Sequence, residues 1–223
     1  MKKTLAVLAV LAGAAAAQAD VLGSWQFLQG GESDTPVAYQ KDGVTAVSFS
    51  SLTRVGGLIT NAVSAGTYNS KGWNLETGDV KAGIEFTVTV ASGFQVADST
   101  ITAAGVCSTQ TGPNKLQWQL GGSDIGDAWS LSSSAAGKTL DVGSEVGSLT
   151  PGAYIFKETV AEGATTVAGN TLGSSGPSRM TGLSFNGTVS DYTPPTPQVP
   201  EPATMSLLGL GALAMALRRK LRK

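Results

Sequence analysis

The sequence predicts an all-β protein: a β-sandwich body of jelly-roll type, with an N-terminal signal helix and a C-terminal membrane helix. Three observations carry this expectation. Apolar and polar residues alternate at a period of two in several separate segments, whereas helical spacing of apolar residues is confined to the two ends. Turn-forming residues recur roughly every 8–12 positions, the spacing of short sandwich strands. The clearest alternating segment, residues 84–90, is crowded with β-branched residues and bounded by Gly83 and Gly93, which argues against a helix there.

The amino terminus comes first. Lys2-Lys3, the apolar run over residues 5–17, and Ala17-Gln18-Ala19 before Asp20 supply the three parts of a secretory signal peptide. Residues 1–19 are therefore expected to be removed by signal peptidase, with Ala17 and Ala19 as the small residues of the cleavage site.

The body is expected to span residues 20–190. Residues 21–28 read as a first strand with Trp25 and Phe27 on one face. Residues 30–36 are turn-forming and read as a loop. Residues 44–52 return to strand composition, and residues 54–73, rich in Gly, Ser, Asn and Thr, fit either loops or short strands. The clearest strand is Ile84-Glu85-Phe86-Thr87-Val88-Thr89-Val90, whose even positions are apolar and whose odd positions are polar. Residues 94–107 read as a strand containing a bulge, on which Cys107 shares the parity of Ile101 and Ala103. After the turn at Thr111-Gly112-Pro113-Asn114, Leu116, Trp118 and Leu120 alternate with Gln117 and Gln119 up to Gly121-Gly122. Residues 140–146 and 154–160 read as two further strands around a Pro151-Gly152 turn, and residues 180–189 as the last, with Leu183, Phe185 and Val189 on one face. The expectation is seven to ten strands and no amphipathic helix inside the body.

Charge and composition narrow the chemistry. From Asp20 to Gln198 there are eight Lys or Arg against fifteen Asp or Glu, a net charge of 8 − 15 = −7 that disfavours a nucleic-acid partner. His is absent, which removes Ser-His-Asp and Cys-His catalysis and most zinc sites. The single cysteine, Cys107, excludes a disulfide within the chain and reads as a buried apolar residue. Asp124 and Asp127, read as loop acids, are weighed as calcium ligands against solvated turn residues. Trp73 and Trp129, which flank loops, are candidates for sugar stacking, while Trp118 reads as core. No catalytic residue, metal site or cofactor is assigned.

Residues 191–198 include Thr193-Pro194-Pro195-Thr196-Pro197, an extended spacer. Residues 199–223 follow: Val199-Pro200-Glu201-Pro202, a short apolar run over residues 203–217, then Arg218, Arg219, Lys220, Leu221, Arg222 and Lys223. As a helix the run would span about 22 Å, so it would cross a bilayer only by thinning or snorkelling. The basic cluster would stay cytoplasmic. This combination resembles the sorting tail of bacterial PEP-CTERM proteins. The resemblance implies recognition near Pro200-Glu201-Pro202 by a membrane transpeptidase, the exosortase, and delivery to the cell surface or extracellular matrix. The Thr-Gly-Pro and Leu-x-Trp segment at residues 111–118 is also similar to one found in β-sandwich bodies of that family.

The functional expectation is a non-catalytic exported surface or matrix protein associated with exopolysaccharide or biofilm. Its expected partners are signal peptidase, exosortase, the inner membrane in transit, and polysaccharide. The alternative is a carbohydrate-binding module or a glycan hydrolase working through carboxylates alone.

Overall fold

The computed structural model describes residues 19–28, 32–61, 66–74, 76–77 and 80–195. The expected signal helix with Ala17, and the tail with residues 199–202 and 218–223, lie outside the described residues. In chain order the strands are β1 (Asp20–Ser24), β2 (Tyr39–Lys41), β3 (Val44–Phe49), β4 (Thr53–Val55), β5 (Ile59–Thr60), β6 (Tyr68–Lys71), β7 (Glu76–Thr77) and β8 (Val80–Lys81). They continue with β9 (Gly83–Val90), β10 (Phe94–Cys107), β11 (Lys115–Leu120), β12 (Ser123–Ser130) and β13 (Ala136–Asp141). A helix, α1 (Val142–Val146), precedes β14 (Gly152–Val160) and β15 (Ser178–Asp191). Among the described residues, one sheet runs β13-β10-β15-β6-β5 with β1 also on β15, and the other runs β12-β11-β14-β9-β3-β2 with β4 also on β9. β7 and β8 pair with each other alone, and from β9 to β15 the chain changes sheet at every connection except the β11–β12 hairpin.

Local chemistry accounts for most of these elements. In β9, Ile84, Phe86, Val88 and Val90 are buried while Glu85, Thr87 and Thr89 are not, as the alternation predicts. Asp42-Gly43 and Gly121-Gly122 each have both residues at positive φ, the conformation that closes a two-residue hairpin loop without splaying its strands. The bulge expected in residues 94–107 is present: the register of β10 against β15 shifts between Ala97 and Thr100, where Asp98 adopts φ 49°, and again at Ala104/Gly105.

Three expectations need correction. The first strand ends at Ser24 rather than at residue 28, although Trp25 is still buried and Phe27 packs against the core. Residues 140–146 are not a strand: β13 ends at Asp141, whose carboxylate accepts from the Ser144 N–H at 2.9 Å and caps the single turn of α1. Gln117 is buried although its neighbours alternate. The register of the hairpin shifts between Leu116 and Trp118, and at that irregularity the Gln117 amide turns inward and donates to the backbone carbonyls of Ile125 at 2.9 Å and Gly126 at 3.0 Å.

The core lies between the sheets and is organised by aromatic rings. Trp25, Phe49, Phe185, Phe156 and Phe86 form a closed circuit with successive centroid separations of 5.6, 6.0, 5.8, 5.5 and 4.5 Å. Trp118 joins it edge-on at Phe86, 6.1 Å away. Strands of both sheets supply the rings, so the circuit fastens one sheet to the other. Phe86→Ala is expected to cost about 3–5 kcal/mol of stability, measured by urea unfolding. Thr89→Ala, on the exposed side of the same strand, should cost less than about 1 kcal/mol.

Candidate functional site

The tryptophans do not form a binding platform. Trp25, Trp73, Trp118 and Trp129 are 4, 3, 2 and 5% exposed, so the stacking role considered for Trp73 and Trp129 is overturned. The reason for Trp129 is register: it lies in β12 opposite Leu116 and turns inward with it. The indole N–H of Trp73 donates to the Ser70 carbonyl at 3.3 Å and that of Trp25 to the Ser50 carbonyl at 2.9 Å. Asp124 and Asp127 are also not loop residues, since both belong to β12. Asp124 accepts from the Gln119 side-chain amide at 2.7 Å across the hairpin. Among the described residues no group of three or more His, Cys, Asp or Glu is placed to hold a metal ion.

Two open clefts hold the polar surface chemistry that local sequence does not reveal. The first, about 510 Å³, runs past β4, β5 and β6 and is lined by Glu32, Thr53, Arg54, Thr60 and Tyr68. The Arg54 guanidinium lies 3.7 Å over the centre of the Tyr68 ring, with Nε donating to Ser70 Oγ at 2.9 Å and Glu32 Oε1 3.9 Å away. Burial lowers the guanidinium from its usual range and raises the phenol. The second cleft, about 420 Å³, lies between the β10 bulge and α1 and is lined by Asp98, Thr100, Asp141, Ser144 and Ser148. Both clefts present hydroxyl, carboxylate and backbone groups suited to hydrogen-bonding a polar, many-hydroxyl ligand. Each is assembled from segments distant in sequence, which is why no motif announces it.

A third feature is internal. Glu158 in β14 is 2% exposed, and its Oε1 accepts from the Trp129 indole N–H at 3.0 Å. Desolvation pushes its carboxyl up to about 8, with that hydrogen bond acting in the opposite direction. A raised carboxyl is what a glycosidase acid needs, but the cavity beside it measures only about 10 Å³, too small for a sugar ring. A signal for Glu158 existed in the sequence, because it shares the parity of Phe156 in its strand.

Cys107 is 5% exposed at the end of β10, its thiol donating to the Ser132 carbonyl at 3.5 Å. Burial pushes the thiol up, so it carries little thiolate at neutral pH. Native labelling with a thiol reagent should be slow and become complete in denaturant. Fast labelling of the folded chain would contradict the packing.

No curated protein matches the sequence. Solved structures similar in part to this chain include three of carbohydrate-binding domains, two of them from the same protein. The CBM22-1 xylan-binding domain from Paenibacillus barcinonensis Xyn10C is 8% identical with a TM-score of 0.37, over 76% of this chain and 95% of that one. The N-terminal CBM22-1-CBM22-2 tandem domain of the same protein is 10% identical with a TM-score of 0.40, over 83% of this chain and 49% of that one. The carbohydrate-binding module CBM36 in complex with calcium and xylotriose is 12% identical with a TM-score of 0.29, over 63% of this chain and 98% of that one. The tail gives a direct match: with its Val-Pro-Glu-Pro element, apolar run and first basic residues, this chain carries the PEP-CTERM protein-sorting motif over residues 198–220.

Proposed function

We propose that this chain is a non-catalytic surface or matrix protein, exported as a β-sandwich body and sorted by its PEP-CTERM tail. The observation that carries the reading is the sorting motif at residues 198–220 behind an all-β body. Signal peptidase cuts after Ala19, and the apolar run at residues 203–217 holds the chain in the inner membrane. Arg218, Arg219, Lys220, Arg222 and Lys223 keep the tail's end on the cytoplasmic side, because positive charges beside a membrane segment resist translocation. Exosortase then cuts near Pro200-Glu201-Pro202 and frees the body for the surface. Two features support a non-catalytic role. The chain has no imidazole, and among the described residues the carboxyl raised into the range of a general acid, Glu158, is closed off from substrate.

A polysaccharide is the contact partner that the surface favours. The groove of about 510 Å³ at Arg54 and Tyr68 is open to solvent and lined by polar side chains, Glu32, Thr53 and Thr60 among them, beside apolar ones. Binding of bacterial exopolysaccharides on a glycan array, weakened by filling the groove with Thr53→Trp, would support this contact. An array with no signal would remove it and leave the sorting reading intact.

Sorting is tested by mass spectrometry of the surface-delivered chain in a host that encodes an exosortase. The mature protein should begin at Asp20 and lack residues 203–223. Replacing Pro200, Glu201 and Pro202 by Ala should leave uncut precursor in the membrane, and ending the chain at Gln198 should release the body. Retention of residues 203–223 in the delivered protein would sink the proposal and make the tail a permanent anchor.

A further inference from the structure

Beyond sorting and surface contact, the core contains a buried carboxyl, Glu158, hydrogen-bonded to an indole, with no part in either. Glu158 sits in β14 with Trp118 of β11 and Ile84 of β9 as its cross-strand neighbours. Its carboxyl reaches past β11 to the indole of Trp129 in β12, the edge strand of that sheet. The bond therefore ties an edge strand to the interior of the sandwich, two strands away.

The surroundings of that carboxyl are almost wholly apolar. Ile84 of β9, Gly105 of β10, Leu116 of β11, Leu131 beyond β12 and Met180 of β15 line the small cavity beside it. Ser178 and Arg179 of β15 complete the lining; Arg179 is the charged residue among them besides Glu158, and it is exposed. On the neighbouring strands, Glu85 of β9 and Lys157 of β14 itself fall on the opposite parity. On β12, Asp124 and Asp127 are exposed, while Gln119 of β11 is neutral. Among the described residues, no cation faces the carboxyl inside the sandwich to neutralise it once it ionises.

We propose that Glu158 and Trp129 form a pH-responsive latch, closed on β12 while the carboxyl keeps its proton and progressively weaker as the pH rises. The neutral acid can accept the indole N–H without bringing a net charge into the core. The carboxylate would sit in an apolar site with the Trp129 indole N–H as its donor, so opening of β12, which lets water reach it, becomes the favoured way to ionise.

The sign follows from linkage. The carboxyl is held at about 8 in the closed sandwich against an ordinary value of 4.5. Its contribution to closure is whole below the ordinary value and is lost as the pH climbs to the closed-state value. Over that interval the opening equilibrium should rise about tenfold per pH unit, and it should level off above it.

Hydrogen exchange of the full chain in detergent, followed from pH 5 to pH 9, tests this. In the wild type the opening of residues 123–130 should rise by that factor per unit beyond intrinsic base catalysis. In Glu158→Gln, which keeps the shape and an acceptor for the indole, the excess should vanish. Trp129→Phe removes the donor that favours the ionised form, so its plateau should move to higher pH. Equal pH slopes in wild type and Glu158→Gln, or a slope shared evenly by β12 and the opposite edge β2, would overturn the latch. Should Glu158→Gln not fold, infrared spectroscopy of the wild type decides the titration. A buried protonated-carboxyl band persisting to about pH 8, together with the localised exchange, upholds the proposal, and a carboxyl already ionised at pH 6 overturns it.

Discussion

Everything described rests on the aromatic circuit between the sheets. Phe86, Phe156 and Phe49 come from one sheet, Phe185 from the other, and Trp25 from the chain just after β1. Their contacts close on themselves, so displacing any ring disturbs two neighbours as well as the area it buries. Trp25 is also fixed at its polar end by the Ser50 carbonyl, and the Ser50 hydroxyl in turn accepts from the Thr87 N–H at 2.9 Å. The start of the body is thereby pinned to the strand pair at its centre.

That packing leaves little tolerance where backbones cross. A Cβ on Gly83 would lie 2.5 Å from the Glu158 carbonyl oxygen, and one on Gly23 would lie 2.7 Å from the Phe49 ring. At the first position the obstacle is backbone, which cannot move aside as a side chain can. Irregularity is instead concentrated in bulges and turns, and these shape the surface. The bulge at Ala97/Thr100 and the capped turn of α1 face each other across one cleft, and short strands β4, β5 and β6 border the other. A regular core and irregular margins divide stability from contact.

Several features were legible in the chain because they depend on neighbours in sequence. The alternation of β9 is set by Ile84, Phe86, Val88 and Val90 alone, and the long β10 strand with its bulge follows from the broken parity of residues 94–107. Burial of Cys107 followed from the same parity. The turn of α1 was not legible, since the apolar positions Leu140 and Val142 fit strand alternation until the Asp141 side chain captures the Ser144 N–H. Asp124 and Asp127 were misplaced for a related reason. Their Gly-rich surroundings read as a loop, but pairing with β11 supplies the hydrogen bonds that make a strand of them.

Sequence by itself determined the class of body, the absence of imidazole chemistry, the acidic balance between the ends, and the PEP-CTERM motif, a linear signal that needs no fold to be read. Only the tertiary structure decided which segments pair and what meets across the core. It buried Trp73 and Trp129, brought Arg54 over Tyr68 to shape a groove, and led the Trp129 indole to Glu158 across an intervening strand. The physical reason is that a strand states its own periodicity, whereas partners in a sandwich are chosen by pairing between segments far apart in the chain.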